Sequence, residues 1–217
     1  MPHYLMVIVR NELRMSLQDK KQTLERLRCG ESVSIELGCG PQKVSPSAIG
    51  IDRLDFEAVD IVGEASDVLA AFPDGSVDSV YSAHFLEHVS DPMALLQELS
   101  RVMKPGGRMI LIVPHFSNPF YSSDPTHRVP FGLYTLSYYC RQDIFRRQVP
   151  RYGVDIPLVI DRVHLGFKSY PPRYLRHIFK LSIGLLLNSN MFLRELYEEN
   201  LCWIIPCYEI RYELHRA

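Results

Sequence analysis

Ser34-Ile35-Glu36-Leu37-Gly38-Cys39-Gly40-Pro41 is a short apolar strand that runs into a glycine-rich turn. Backbone that must pass close beneath a ligand needs residues without a Cβ. Gly38 and Gly40 supply that freedom at the carboxyl end of a strand, the edge at which open parallel sheets bind ligands. Outward from this stretch, short apolar strands recur over residues 48–52, ending on Asp52, then over 59–64, 77–82 and 108–113. The last is a continuous apolar run of the kind buried in parallel sheets. Between the first two strands there is room only for a short, irregular crossover holding Pro41 and Pro46, not for a helix.

Helical signals lie between and around these strands. Residues 10–28 place Leu13, Leu17, Leu24 and Leu27 among charges, which predicts an amphipathic leader helix stopped by Cys29-Gly30. Asp91-Pro92 opens a helix with an N-cap and a first-turn proline; Leu95, Leu96, Leu99, Val102 and Met103 form its apolar face, and Lys104-Pro105-Gly106-Gly107 turns the chain into the next strand. Residues 114–150, rich in Pro, Ser, Tyr and His without a clean period, read as a functional loop or lid. Two late strands, 154–167 and 208–214, enclose helices over about 174–187 and 191–203. Repeated strand–helix alternation argues for a doubly wound α/β sheet.

The 217 residues are enough for one well-buried domain. A formal net charge of −1 makes nucleic acid an unexpected partner, because binding through phosphates needs a basic excess. Cys29, Cys39, Cys140, Cys202 and Cys207 are odd in number and form no C-x-x-C pair, which fits a reduced, cytoplasmic chain. The apolar start from His3 to Val9 lacks a basic n-region and a cleavage site, and is far shorter than the roughly 20 residues of a spanning helix.

A dinucleotide site wants a third glycine and a helix N-terminus aimed at a pyrophosphate. Here the third glycine is absent and Pro41 follows the second, while Asp52 supplies a carboxylate suited to a ribose diol, so the turn fits a phosphate-free nucleoside. The ordered motifs Glu36-Leu37-Gly38-Cys39-Gly40, Asp52, Phe72-Pro73-Asp74-Gly75-Ser76-Val77-Asp78, Leu86-Glu87-His88-Val89 and the stretch from Glu98 to Gly107 resemble the class I S-adenosylmethionine-dependent methyltransferases. The resemblance implies a Rossmann-like doubly wound sheet, mostly parallel with an antiparallel last strand, plus an N-terminal helix and inserted C-terminal helices. It divides the one domain into a leader (1–30), a cofactor core (33–114), an acceptor loop (115–150) and inserted helices (172–203). It implies S-adenosylmethionine as cofactor, with Gly38 and Gly40 beneath it, Glu36 toward its amine, Asp52 and neighbouring Arg53 at the ribose, Glu64 and Ala65 at the adenine, and His84 beside the sulfonium. The long turn after the third strand leaves Asp67 as an alternative to Glu64.

His84-Phe85-Leu86-Glu87-His88 puts two imidazoles and a carboxylate at i, i+3 and i+4, one face of a helical turn. Two readings stay open. In one, Glu87 and His88 merely hold the strand exit by hydrogen bonds. In the other, His84, Glu87, His88 and His127, from Asp124-Pro125-Thr126-His127, hold a divalent metal of the zinc or iron type, an arrangement that resembles the small-RNA 3′-end 2′-O-methyltransferases. Without a metal, His127 or His88 serves as general base; His115 reads as a loop histidine at the rim. The helix over 174–187 is apolar almost all round, which reads as core or homodimer interface, with a peripheral membrane contact as the alternative. Phe116, Asn118, Phe120, Tyr121, Phe131, Tyr134, Tyr138 and Tyr139 are the acceptor-pocket candidates. The later motifs resemble methyltransferases of bacterial surface-polysaccharide assembly, implying O-methylation of a sugar hydroxyl on a glycan or glycan precursor. A small-molecule O- or N-methyltransferase, an RNA 2′-O-methyltransferase and a non-catalytic cofactor-binding partner protein are the alternatives.

Overall fold

A computed structural model describes residues 17–27, 32–150, 155–169 and 172–217. Two compact units make up the chain: Met1–Ala83 with Asp91–Met109 and His215–Ala217, and His84–Ser90 with Ile110–Leu214.

In the first unit β1 (Gln18–Asp19), α1 (Thr23–Leu27), β2 (Ser34–Leu37), β3 (Ile49–Asp52), β4 (Ile61–Val62), α2 (Ala65–Ala70), β5 (Val77–Ala83) and α3 (Pro92–Val102) lead into β6 (Met103–Pro114). The strand order is β1–β4–β3–β2–β5–β6. β2 runs parallel to β3 and β5, and β3 parallel to β4, whereas β1 is antiparallel to β4. Ile35, Leu37, Ile51, Ile61 and Val80 are buried on these strands. The Asp91-Pro92 signal is realised: Asp91 Oδ1 accepts the Ala94 amide at 2.9 Å, and Leu95, Leu96, Leu99 and Val102 face inward. No helix joins β2 to β3, as the prolines required.

Two boundaries differ from the sequence reading. Among the described residues the leader helix is helical over Thr23–Leu27, because Gln18–Asp19 is recruited as an edge strand by β4 and Gln22 takes a positive φ of 54°; residues 10–16 and the Cys29-Gly30 stop lie outside the described residues. β6 begins at Met103, not at Arg108, and carries the Gly106-Gly107 turn within it. There Gly106 has φ +75°, and a Cβ on Gly107 would stand 2.8 Å from the Lys104 carbonyl.

The second unit contains the rest of β6, β7 (Cys140–Arg141), β8 (Ile156–Gly166), α4 (Tyr174–Leu187), α5 (Met191–Asn200) and β9 (Glu209–Arg216), with strand order β6–β9–β8–β7. Residues 115–139 add only short 3₁₀ turns and a bridge between His115 and Phe131. Leu158, Ile160, Val163, Leu165, Ile210 and Tyr212 are buried, as are Phe131, Leu133 and Leu136 of the loop. α4 corrects the expectation of a core helix: only Lys180, Gly184 and Leu187 are buried on it. Among the described residues no helix is long and apolar enough to cross a membrane.

The first unit also buries a charge. Asp60 accepts the Gly50 amide at 2.8 Å and Lys43 Nζ at 2.7 Å, and is paired with Lys21. Burial pushes its carboxyl up, but the hydrogen bonds from Lys21, Lys43 and Gly50 outweigh it and hold the group below the ordinary carboxylate value. A depressed pKa contributes stability that is present above the unfolded value of about 3.9 and is lost as pH falls through the folded one. Asp60→Asn is therefore expected to lower stability near neutral pH by about 3 kcal/mol, since Lys43 is left buried without its charge partner. Urea unfolding followed across pH checks this: the gap between wild type and variant narrows in acid.

Candidate functional site

Three parallel strands end together in the first unit. Gly38, just after β2, has φ +64° and donates its amide to the Ile51 carbonyl at 2.9 Å; Gly63, just after β4, donates to the Asp52 carbonyl at 3.0 Å. Gly40 has φ +56°, and a Cβ built there meets nothing within 4 Å, so the turn leaves open space above its backbone. Its amide donates to Asp52 Oδ2 at 2.9 Å while Asp52 Oδ1 accepts the Leu54 amide. Asp52 is half-buried, Arg53 is exposed beside it, and Glu64 and Ala65 form the entrance of α2. This bare, left-handed backbone next to an oriented carboxylate fits a ribonucleoside-bearing cofactor such as S-adenosylmethionine.

Two neighbours of the turn are held within the fold. The buried Glu36 accepts the Val44 amide at 2.9 and 3.0 Å and the Ser45 amide at 3.4 Å, so it shapes the loop that replaces a crossover helix. Cys39, buried between the two glycines, has its thiol pushed up to about 11 by burial, with Asp52 and Glu36 adding to the effect.

In the second unit the histidines expected from the sequence come together with a loop. Leu86–His88 is a 3₁₀ turn, and the Arg128 amide donates to the Glu87 carbonyl at 2.7 Å, which docks the Asp124–His127 loop onto that turn. The rings of His88 and His127 lie 4.8 Å apart, and Tyr121 stacks on His127 at 4.9 Å. The hydrogen-bond network assigns both tautomers. Thr126 Oγ1 lies 2.6 Å from the Asp124 carboxylate, which takes its only proton, so the same oxygen must accept from His88 Nδ1, 2.8 Å away. His127 Nδ1 lies 2.8 Å from the Tyr121 carbonyl and donates to it. With Nδ1 as the donor, the neutral tautomer of each ring carries its lone pair on Nε2.

Glu87 completes this group. It is 1% exposed and its Oε2 is buried without a hydrogen-bond partner. Ligand-capable atoms of Glu87, His88 and His127 all lie within 4.8 Å of one another. His84 stands apart from that triad: it has a positive φ of 53°, its Nε2 is 3.4 Å from Glu209 Oε2, and its Nδ1 is 3.7 Å from Glu87 Oε1. Glu209 foremost, then Glu87, push its pKa up to about 9 against the opposing effect of burial. The convergent group is Glu87, His88 and His127, without His84.

Several acceptor-pocket candidates are structural. Phe131 is fully buried, Tyr134 donates to Glu195 Oε1 at 2.8 Å, Phe116 packs on Trp203, and Asn118 donates to the Tyr208 carbonyl. His115 is not at a rim: it is fully buried, with Nδ1 2.8 Å from Ser117 Oγ and Nε2 3.2 Å from Glu198 Oε2. Thr126, Asp124 and Glu209 are the partners that sequence reasoning missed; only the Asp-Pro-Thr-His spacing, which favours a side-chain-closed turn, hinted at the first two.

Residues 35–111 match the family model described as a methyltransferase domain. A Streptomyces fradiae protein of a transposon, described as uncharacterised, is 34% identical over 42% of the chain and 32% of its own length. The ubiquinone biosynthesis O-methyltransferase of Xanthomonas oryzae is 42% identical over 31% of the chain and 30% of its own length. The chain thus spans about a third of the length of these curated relatives. A S-adenosylmethionine-dependent methyltransferase of Archaeoglobus fulgidus superposes with a TM-score of 0.54 at 16% identity, covering 92% of this chain and 95% of its own, and shows that the fold is shared. The architecture is accordingly the Rossmann-like methyltransferase fold, a mixed and mostly parallel sheet with helices.

The buried Ser117–His115–Glu198 contacts separate structure from chemistry. His115→Phe should lower unfolding stability by about 2 kcal/mol, because Ser117 and Glu198 each lose a buried partner. Urea denaturation reads that loss, and calorimetry with S-adenosylmethionine at low urea is expected to give an unchanged affinity.

Proposed function

We propose that this protein is a S-adenosylmethionine-dependent methyltransferase acting on oxygen, with a sugar hydroxyl of a glycan or glycan precursor as the acceptor. The observation that carries the first part is the turn after β2, where open, left-handed backbone at Gly40 is tied to the Asp52 carboxylate; the match of residues 35–111 to methyltransferase domains supports it independently. When bound, S-adenosylmethionine supplies a methyl group activated by its sulfonium. Gly38 and Gly40 admit the cofactor, Asp52 accepts from the ribose diol, and the Glu64-Ala65 backbone meets the adenine.

His127 is the base in this reading. Its Nδ1 proton is held by the Tyr121 carbonyl, so Nε2 takes the proton of the acceptor hydroxyl as the oxygen attacks. The sugar assignment draws on the exposed Phe120 and the Tyr121 ring beside His127, aromatic faces suited to a pyranose, and on the likeness of the later motifs to polysaccharide-assembly enzymes. The net charge of −1 disfavours an RNA acceptor.

A second reading rests on the buried Glu87. The Glu87 carboxylate, whose Oε1 lies 3.9 Å from His88 Nε2, and the imidazoles of His88 and His127 form a donor set for zinc or iron, and the Nδ1 contacts to Thr126 and Tyr121 are of the kind that orient metal-bound imidazoles. A metal there would acidify the acceptor hydroxyl.

Titration calorimetry tests the cofactor. Wild type should bind S-adenosylmethionine, and Asp52→Asn, which keeps an oxygen for the Gly40 amide, should bind about tenfold more weakly; absence of binding at millimolar ligand overturns the enzyme reading. Methyl transfer to a panel of sugar acceptors should fall on the order of 100-fold in His127→Ala at unchanged cofactor affinity, whereas parallel loss of both would make His127 structural. Elemental analysis of protein purified without chelator decides the second reading. Near-stoichiometric metal that disappears in Glu87→Gln supports it; no metal, with turnover indifferent to chelator, leaves the imidazole base alone.

A further inference from the structure

α4 is amphipathic in the inverted sense. Tyr174, Leu175, Ile178, Phe179, Leu181, Leu185 and Leu186 are exposed, Leu175 by 85% and Leu185 by 79%. At 100° per residue these positions sweep an arc of about 160°. The opposite side buries Lys180, Gly184 and Leu187.

Three anchors fix this rotation. Gly184 lies against Phe167, where a Cβ would come within 3.1 Å of the ring. Asn188, the C-cap, exchanges hydrogen bonds with both backbone groups of Leu165. Lys180 Nζ donates to the Pro206 carbonyl at 3.1 Å. The last contact brings the 203–206 turn alongside, and that turn exposes Trp203 by 73% and Ile204 by 74%. An exposed apolar face on this scale marks an interaction site.

Charge identifies what the surface meets. A cavity of about 330 Å³ opens at the amino end of α4, lined among others by Lys168, Arg173, Arg176, Lys180, Asn118 and Tyr208. Lys168 is paired with Glu209, but among the described residues no carboxylate pairs with Arg173, Arg176 or Lys180. From Arg173 to Asn190 the sequence contains no Asp or Glu. A second copy of α4 laid on the first would therefore bring no counter-charge from this helix. On α5, Glu195 and Glu198 are turned to Tyr134 and His115, and Glu199 is exposed. A layer of anionic headgroups over hydrocarbon supplies both what the arginines lack and what the leucines need.

We infer that the exposed face of α4 docks on an anionic phospholipid surface, with Arg173 and Arg176 at its amino end reaching the headgroup phosphates. The helix lies in the interface plane, its apolar arc among the upper acyl carbons and its first turn at the phosphates. This placement does not depend on the methyl acceptor.

Vesicle flotation of the full chain tests it, using phosphatidylcholine alone and phosphatidylcholine mixed with an equal part of phosphatidylglycerol. Binding to the mixed vesicles, weaker binding to the neutral ones and a decline with salt are expected. Leu185→Ser with Leu186→Ser should abolish flotation, and Arg173→Gln with Arg176→Gln should weaken it by at least tenfold, roughly fivefold for each charge. Circular dichroism should show both variants folded, since all four side chains are exposed. No flotation with either vesicle, or flotation unaffected in both variants, overturns the proposal. So does a wild-type dimer in analytical ultracentrifugation that becomes monomeric in the leucine variant, which would assign the face to a second copy. Calorimetric binding of inorganic phosphate without any vesicle binding would likewise reassign Arg173 and Arg176 to a soluble anion.

Discussion

The left-handed backbone after β2 is the constraint on which the first unit depends. Gly38 and Gly40 both adopt positive φ, and each spends its amide on the neighbouring strand: Gly38 on the Ile51 carbonyl, Gly40 on the Asp52 carboxylate. β4 is joined to the same place by Gly63, whose amide meets the Asp52 carbonyl, and Asp60 reaches back to the amide of Gly50. Gly50 itself has no room for a side chain, since a Cβ would lie 2.8 Å from Cys39 Sγ and 3.0 Å from the Ala58 carbonyl. The cradle is thus held by backbone and carboxylate contacts made before any ligand arrives, a form of preorganisation.

How much of this was legible in the sequence depended on how local the cause was. The strands β2, β3 and β5, the α3 cap at Asp91 and the turn glycines were legible because period, capping chemistry and φ requirements act within a few residues. β1 was not: Gln18–Asp19 has no strand pattern and exists only because β4 offers an edge. His115 was misread for a similar reason. Its neighbours in sequence look like a solvated loop, but the carboxylate that satisfies it, Glu198, arrives from α5, 83 residues later. α4 is the intermediate case, since composition announced an apolar helix while its rotation came from Gly184, Asn188 and Lys180 meeting distant partners.

The histidine cluster shows how a single proton can organise a site. Thr126 has one hydrogen to give, and Asp124 takes it, which obliges His88 to donate through Nδ1. Spacing in the sequence put His84, Glu87 and His88 on one turn. It did not reveal that His84 would stand 3.4 Å from Glu209 while Glu87, His88 and His127 form the convergent set.

Cys39 has a practical consequence. With its pKa raised to about 11, the thiol at the centre of the glycine turn is ionised at neutral pH to only about one part in ten thousand, and ionisation is what alkylating and oxidising reagents require. Cys140, Cys202 and Cys207 are buried as well. In the folded molecule the turn is therefore inert to thiol reagents, and the onset of Cys39 labelling becomes a clock for its opening, readable by mass spectrometry at a single residue.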